Sequence, residues 1–293
     1  MNCVSDCVGF FNGTPVSVLN DAFRSHWRQA SDALKTTNSP NLVMKHVECI
    51  FIMLNQEKSR IKNSVGPLLR ISIDECIFDR IISWLGNLLP NHFQSVFSSL
   101  FIHFNELIMD YNNFYLEIPS ISIPIMRLFC LYKLRPSNNY SHEFSCLALN
   151  LIIAINKSLT TYQTIKNISL KLFNNEFIIF DTIFTCLNDS NEASSNACDA
   201  LIIIAKMSIK HPEITNYLLN ESYFSKIIIC SLCGYFSKLP RNLPIEQLQL
   251  VCQHGSLMGG EQQFIPFLDF KDSPNQPIIM YTKLVEFICL LTK

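Results

Sequence analysis

Cys230-x-x-Cys233 followed by Cys252-x-His254 is the arrangement in this 293-residue chain whose spacing suits a metal site. Tetrahedral zinc takes four Cys or His ligands, usually delivered from paired short spacings. Cys230 and Cys233, however, sit among Ile227, Ile228, Ile229 and Leu232, where a thiol serves as a small hydrophobe, and His254 has no second short cysteine pair beside it. The same CxxC lacks the strand-to-helix setting of a redox pair. The reading is therefore no metal and no cofactor. Cys230, Cys233, Cys252 and His254 stay as the candidate ligands of an alternative, metal- or thiol-dependent protein.

Other reactive residue types are present without organisation. No nucleophile-elbow glycines and no HExxH spacing gather Ser, His and Asp into a hydrolase site. Asp74-Glu75 resembles a carboxylate pair, but two acids are expected in the first turn of a helix, here one opened by a Ser72-x-x-Glu75 capping box. Lys58, Arg60 and Lys62, the densest basic cluster, read as a solvated loop. His26-Trp27 beside Phe23 reads as packing. These readings leave no catalytic residue, and the chain is expected not to be an enzyme.

Composition narrows the class further. Hydrophobic residues make up 48%, enough for a sizeable core. Charged residues are only 16% and the net charge is -1, so nothing draws the chain electrostatically to nucleic acid or anionic lipid. The first twenty residues lack a basic segment followed by a continuous apolar run, and no apolar stretch reaches the roughly 18 residues of a membrane span. Twelve scattered cysteines, mostly within apolar helical patterns, suit a reduced, cytoplasmic protein.

The elements that must position any site are helices. Residues 18–35 form the first, and Ser39-Pro40 supplies a cap and first-turn proline for a second running to about Glu57. After a break at Gly66-Pro67, Ile73, Ile77, Ile81, Trp84, Leu85 and Leu88 form a one-sided stripe that Pro90 ends. Further helices are expected at 91–110, 124–134, 142–157, 160–173 and 176–187, with 111–124 a connection broken by Pro119 and Pro124. Residues 196–240 add three more helical segments. Helices of this length joined by proline-marked breaks favour an all-α fold, an armadillo/HEAT-like helical solenoid, with an irregular helical bundle as the alternative.

The domain reading follows from these signals: 1–16 a flexible N-terminus, 17–240 the helical-repeat domain, 241–277 an irregular Pro/Gly-containing loop, and 278–293 a terminal helix. An apolar helix at the end of a solenoid lacks the polar cap such folds need, so a fragment or truncated product is the expectation, with a complete product left open.

Residues 196–240 also carry an ordered string of residue types: Asp199-Ala200-Leu201-Ile202, Asn220-Glu221-Ser222-Tyr223-Phe224, and Gly234-Tyr235-Phe236-Ser237-Lys238-Leu239-Pro240. Phe23-x-x-His26-Trp27 and Gly66-Pro67-x-Leu69 precede it in order. This pattern resembles the FTS and Hook-interacting protein (FHIP) family, with its FxxHW opening, GPxLE element, DALL-like helix, ENSYF segment and YxxLP ending. The resemblance covers about residues 17–240 and is loose beyond, at Phe264 to Leu268 and at Val285-Glu286-Phe287. It implies a non-enzymatic adaptor that joins FTS and Hook in a complex linking endosomal cargo to dynein and dynactin, in some members through a Rab GTPase. It further implies a cytoplasmic protein, peripheral to endosomes through its partners. The matched positions are expected to be structural, and no contact residue follows from them. A helical scaffold for an unrelated complex is the remaining alternative.

Overall fold

In the computed structural model the described residues are 16–35, 40–61, 64–109, 113–134, 139–174, 177–189, 191–221 and 283. Among them the secondary structure is helical, with no strand. The chain divides into two compact units at Ile178/Ile179.

The first unit holds α1 (Val16–Leu34), α2 (Pro40–Arg60), α3 (Pro67–Asp74), α4 (Ile77–Gly86), α5 (Pro90–Ile108), α6 (Asn113–Leu116), α7 (Pro119–Leu134), α8 (Ser141–Lys157) and α9 (Leu159–Phe173). They stack in two rows. One row runs α2, α5, α8 and the other α1, α4, α7, α9, each helix packing on the next in its row. Helices α2 and α8, two steps apart, share no extended contact. Neighbour-only packing of this kind is how helical solenoids are built.

A repeat that the residue types conceal is visible in the bonds between successive layers of the stack. Arg24 pairs with Glu75, Lys58 with the Glu106 carbonyl, Arg80 with Ser31, Asn139 with Gln94 and Asn150 with Asn105. These partners lie 45–51 residues apart. HEAT and armadillo units recur at about 40–47 residues, so the architecture agrees with the expected solenoid class.

The core is aromatic. Phe51, Phe78 and Phe104 meet where α2, α4 and α5 converge, with ring centroids 5.2–5.7 Å apart. Phe97, Phe101, Phe129, Tyr132, Tyr140 and Phe144 continue it through α5, α7 and α8, and Tyr132 stacks on Phe144. Flat rings fill the space between helices with few rotatable bonds to fix.

Three local expectations are corrected. Ser72 does not open a helix: it lies inside α3, where its hydroxyl donates to the Leu68 carbonyl at 3.0 Å. Gly66-Pro67 starts that helix rather than merely breaking the chain, and Asp74 and Glu75 fall at its end, not in a first turn. Cys76, in the left-handed region at φ 51°, separates α3 from α4 and interrupts what the apolar stripe presents as one helix. Third, residues 111–124 are not simply a connection. Helix α7 begins at Pro119 and carries Pro124 inside it, losing one backbone bond while Ile121, Pro124 and Ile125 are buried.

The second unit contains α10 (Ile178–Ile183, beginning at the boundary), a 3-10 turn (Phe184–Asn188), α11 (Asn191–Lys210), α12 (Pro212–Asn216) and a π-helical turn (Tyr217–Glu221). Ser194 donates to the Cys186 and Leu187 carbonyls, tying α11 to the end of the 3-10 turn.

Candidate functional site

The motif residues fall into three structural clusters. In the first, Phe23 and Trp27 are wholly buried on the inner face of α1, and the Arg80 guanidinium lies 4.7 Å from the Trp27 ring. His26 points instead at α2, its Nδ1 3.1 Å from Nδ1 of His46. One ring must donate and the other accept, so the contact suits two neutral rings or one charged ring, never two cations. Burial, then the nearby Lys45, hold His26 below its ordinary value; for His46, burial, His26 and Lys45 act in the same direction.

The second cluster explains Gly66-Pro67. The Glu57 carboxylate lies across the start of α3 and accepts from the Leu68 amide at 2.8 Å and the Leu69 amide at 2.9 Å. It is a helix cap delivered from a different helix, satisfying two donors that the first turn leaves open. A Cβ on Gly66 would stand 2.3–2.6 Å from that carboxyl group. The backbone there is extended (φ -73°), so glycine serves for space and not for conformation. Pro67 takes the first helical position, where a missing N–H costs nothing. Burial raises the Glu57 carboxyl above its ordinary value while the two amide bonds pull it back. The Tyr115 hydroxyl is pushed up to about 12, chiefly by burial and further by Glu57.

Lys58, the next residue, corrects the solvated-loop expectation. It is buried, and its ammonium donates to the carbonyls of Glu106 at 3.1 Å and Met109 at 2.7 Å, closing the C-terminal end of α5. Consecutive residues at the end of α2 therefore cap two other helices, one at each polarity. Sequence spacing carried no signal for this, because the partners of Glu57 and Lys58 are set by packing and not by local register.

The third cluster is at Asp199. Ala200 and Leu201 are core residues of α11, and Asp199 forms an ion pair with Lys283 at 2.6 Å, both side chains nearly buried. Lys283 also donates to the Ser195 hydroxyl at 3.2 Å. Burial raises the Asp199 carboxyl and Lys283 opposes it. Asn220 donates to Asn216 at 2.7 Å, and Glu221 closes the π-helical turn. Ser222, Tyr223, Phe224, Gly234, Tyr235, Leu239 and Pro240 lie outside the described residues. So do Cys230, Cys233, Cys252 and His254, and with them the expected loop at 241–277.

Among the described residues no three His, Cys, Asp or Glu side chains converge as a metal set, and no helix is long and apolar enough to cross a membrane. The described cysteines are free thiols, with Cys49, Cys186 and Cys198 buried. What the structure offers is a stack of helices locked by capping ions and aromatic packing, with polar groups spent on holding elements together.

Fold and clusters thus define an α-helical repeat protein. The chain belongs to the RAI16-like family, whose description is retinoic acid induced 16-like protein and whose model matches residues 73–287. It is similar to FHF complex subunit HOOK-interacting protein 1A of Homo sapiens, 20% identical over 236 residues, covering 75% of this chain and 22% of that protein. Its similarity to the Mus musculus protein of the same name is 22% over 289 residues, 91% of this chain and 26% of the relative. An FHIP family protein of Caenorhabditis briggsae is 22% identical over 205 residues, 67% of this chain and 23% of its own length. The FHIP resemblance read from the motifs is therefore correct, and the matched region reaches beyond residue 240, where the motifs are only loose. The chain spans about a quarter of the length of these curated relatives.

Proposed function

We propose that this chain is a non-enzymatic scaffold of the FHIP type, contributing a Hook-interacting surface to a complex that contains FTS and connects endosomal cargo to dynein and dynactin. The observation that carries the reading is the family match across residues 73–287, a stretch that in the first unit is a stack of helices. Relatives over this stretch bear the name HOOK-interacting. A helical stack supplies large, shape-specific surfaces without a catalytic pocket, which suits assembly better than turnover. On this reading residues 17–240 are the helical-repeat domain, the motif positions are structural, and a Rab GTPase is a further partner. The protein works in the cytoplasm, peripheral to endosomes through its partners.

The test is a pull-down with tagged residues 1–293 against purified Hook, purified FTS and a panel of Rab GTPases, beside an unrelated helical-repeat control. Retention of Hook or FTS above the control supports the scaffold reading. Retention of a Rab alone assigns the chain to cargo recognition. Retention of none, by a chain whose circular dichroism is helical, removes partner binding from this part of the family fold.

A further inference from the structure

Asn55, Asn105 and Asn150 lie on α2, α5 and α8, the three helices of one row. The Asn150 amide donates to the Asn105 carbonyl oxygen at 2.7 Å, and the Asn55 amide reaches the Glu106 carboxylate at 3.5 Å. All three asparagines are half-buried, neither sealed in the core nor fully in solvent. After these bonds, the Asn105 amide hydrogens and the Asn150 carbonyl oxygen have no protein partner among the described residues and are not sealed from solvent. A donor and an acceptor side by side match a peptide group, which offers one of each.

Two carboxylates lie near these asparagines. Glu106 is half-exposed and Glu48 lies near enough to act on His103, yet among the described residues neither carboxylate pairs with a lysine or arginine. His103 does not neutralise them: burial holds it below its ordinary value against the pull of both acids. Lys58, the nearest base in the chain sequence to Asn55, is committed to the carbonyls that end α5. Packed helices stand about 8–10 Å apart, so three rungs span about 20 Å, the length of about six residues of extended chain.

We propose that the α2–α5–α8 face binds an extended peptide segment of a protein partner, Asn105 and Asn150 pairing with its main chain and Glu48 and Glu106 receiving its lysine or arginine side chains. The proposal deepens the scaffold reading by naming the chemistry of one partner segment. It needs no particular partner.

The experiment selects a random 16-residue peptide library displayed on phage against the immobilised full chain. Enriched peptides are then synthesised with a fluorophore and titrated by anisotropy. Enrichment of lysine- or arginine-bearing sequences is expected, with binding weakened about fivefold by each of Asn105→Ala and Asn150→Ala, the value of one typical hydrogen bond. N-methylation of alternate peptide amides should abolish binding. Glu106→Gln should weaken binding and flatten its salt dependence; this half-exposed substitution keeps the test valid if an asparagine variant fails to fold. Failure to enrich any peptide, or enrichment of peptides indifferent to all three substitutions, overturns the proposal, as does tolerance of N-methylation, which marks recognition through side chains alone. Repeating the Hook and FTS pull-down with the variants separates the two readings: partners retained while peptide binding is absent refute this face and leave the scaffold standing.

Discussion

Replacing Gly66 by alanine tests whether one carboxylate holds the first unit's third helix in place. The new Cβ would meet the Glu57 carboxyl at 2.3–2.6 Å, well inside van der Waals contact, so the carboxylate must leave the Leu68 and Leu69 amides. Each buried amide left without a partner costs about 1–3 kcal/mol, while Gly→Ala returns about 0.4–1 kcal/mol by restricting the unfolded chain. The expected net loss is about 2–4 kcal/mol, and for a unit of this size a fall in Tm on the order of 10 °C. Urea unfolding followed by tryptophan fluorescence reports on the right unit, since the two tryptophans, Trp27 and Trp84, both lie in it. The decisive comparison is a double-mutant cycle with Glu57→Ala. Once the carboxylate is gone the clash is gone, and Gly66→Ala should become neutral or stabilising by about 0.5 kcal/mol. An equal cost in both backgrounds, or no cost in the wild type, refutes the cap.

Lys58→Met should destabilise by about 1.5–3 kcal/mol by stripping the donor from the end of α5, whereas Lys45→Met, at an exposed site, should stay within about 0.5 kcal/mol; equal effects in urea melts would contradict the capping role. Asp199→Ala leaves the Lys283 ammonium buried and should cost about 3–5 kcal/mol, much of it recovered by adding Lys283→Met; thermal melts by circular dichroism would show otherwise if the pair were solvated. For the histidines the sign is set by folded values below the ordinary 6.5: the unfolded chain takes up protons first, so stability is lost as pH falls from about 6.5 toward the depressed values and is unaffected above that window. His26→Gln with His46→Gln should shrink the drop in urea midpoint between pH 7.5 and 5.5, leaving the share due to His103; an unchanged drop would exclude the pair.

Much of the helical plan was legible in advance. The spacing of Phe97, Leu100, Phe101 and Phe104 is a helical period, and Pro40 sits where a first-turn proline belongs; Pro90, expected to end one helix, opens the next. Such signals are local, and so readable. Pro124 misled because a proline that weakens a helix in isolation is tolerated where a buried face offsets the lost bond. Ser72-x-x-Glu75 misled because a short cap motif also occurs by chance within a helix that begins earlier.

By itself the sequence determined a helical fold class, since hydrophobic period and proline placement act within one or two turns, and the order of its motifs pointed to its family. The tertiary structure alone decided what those residues touch. The repeat of 45–51 residues appears in side-chain partners and not in residue types, because each crossing is made by a different pair: Arg24 with Glu75, Arg80 with Ser31, Asn150 with Asn105. Gly66 likewise reads as a simple break until Glu57 is seen against it, for a side chain arriving from another helix leaves no trace in local spacing.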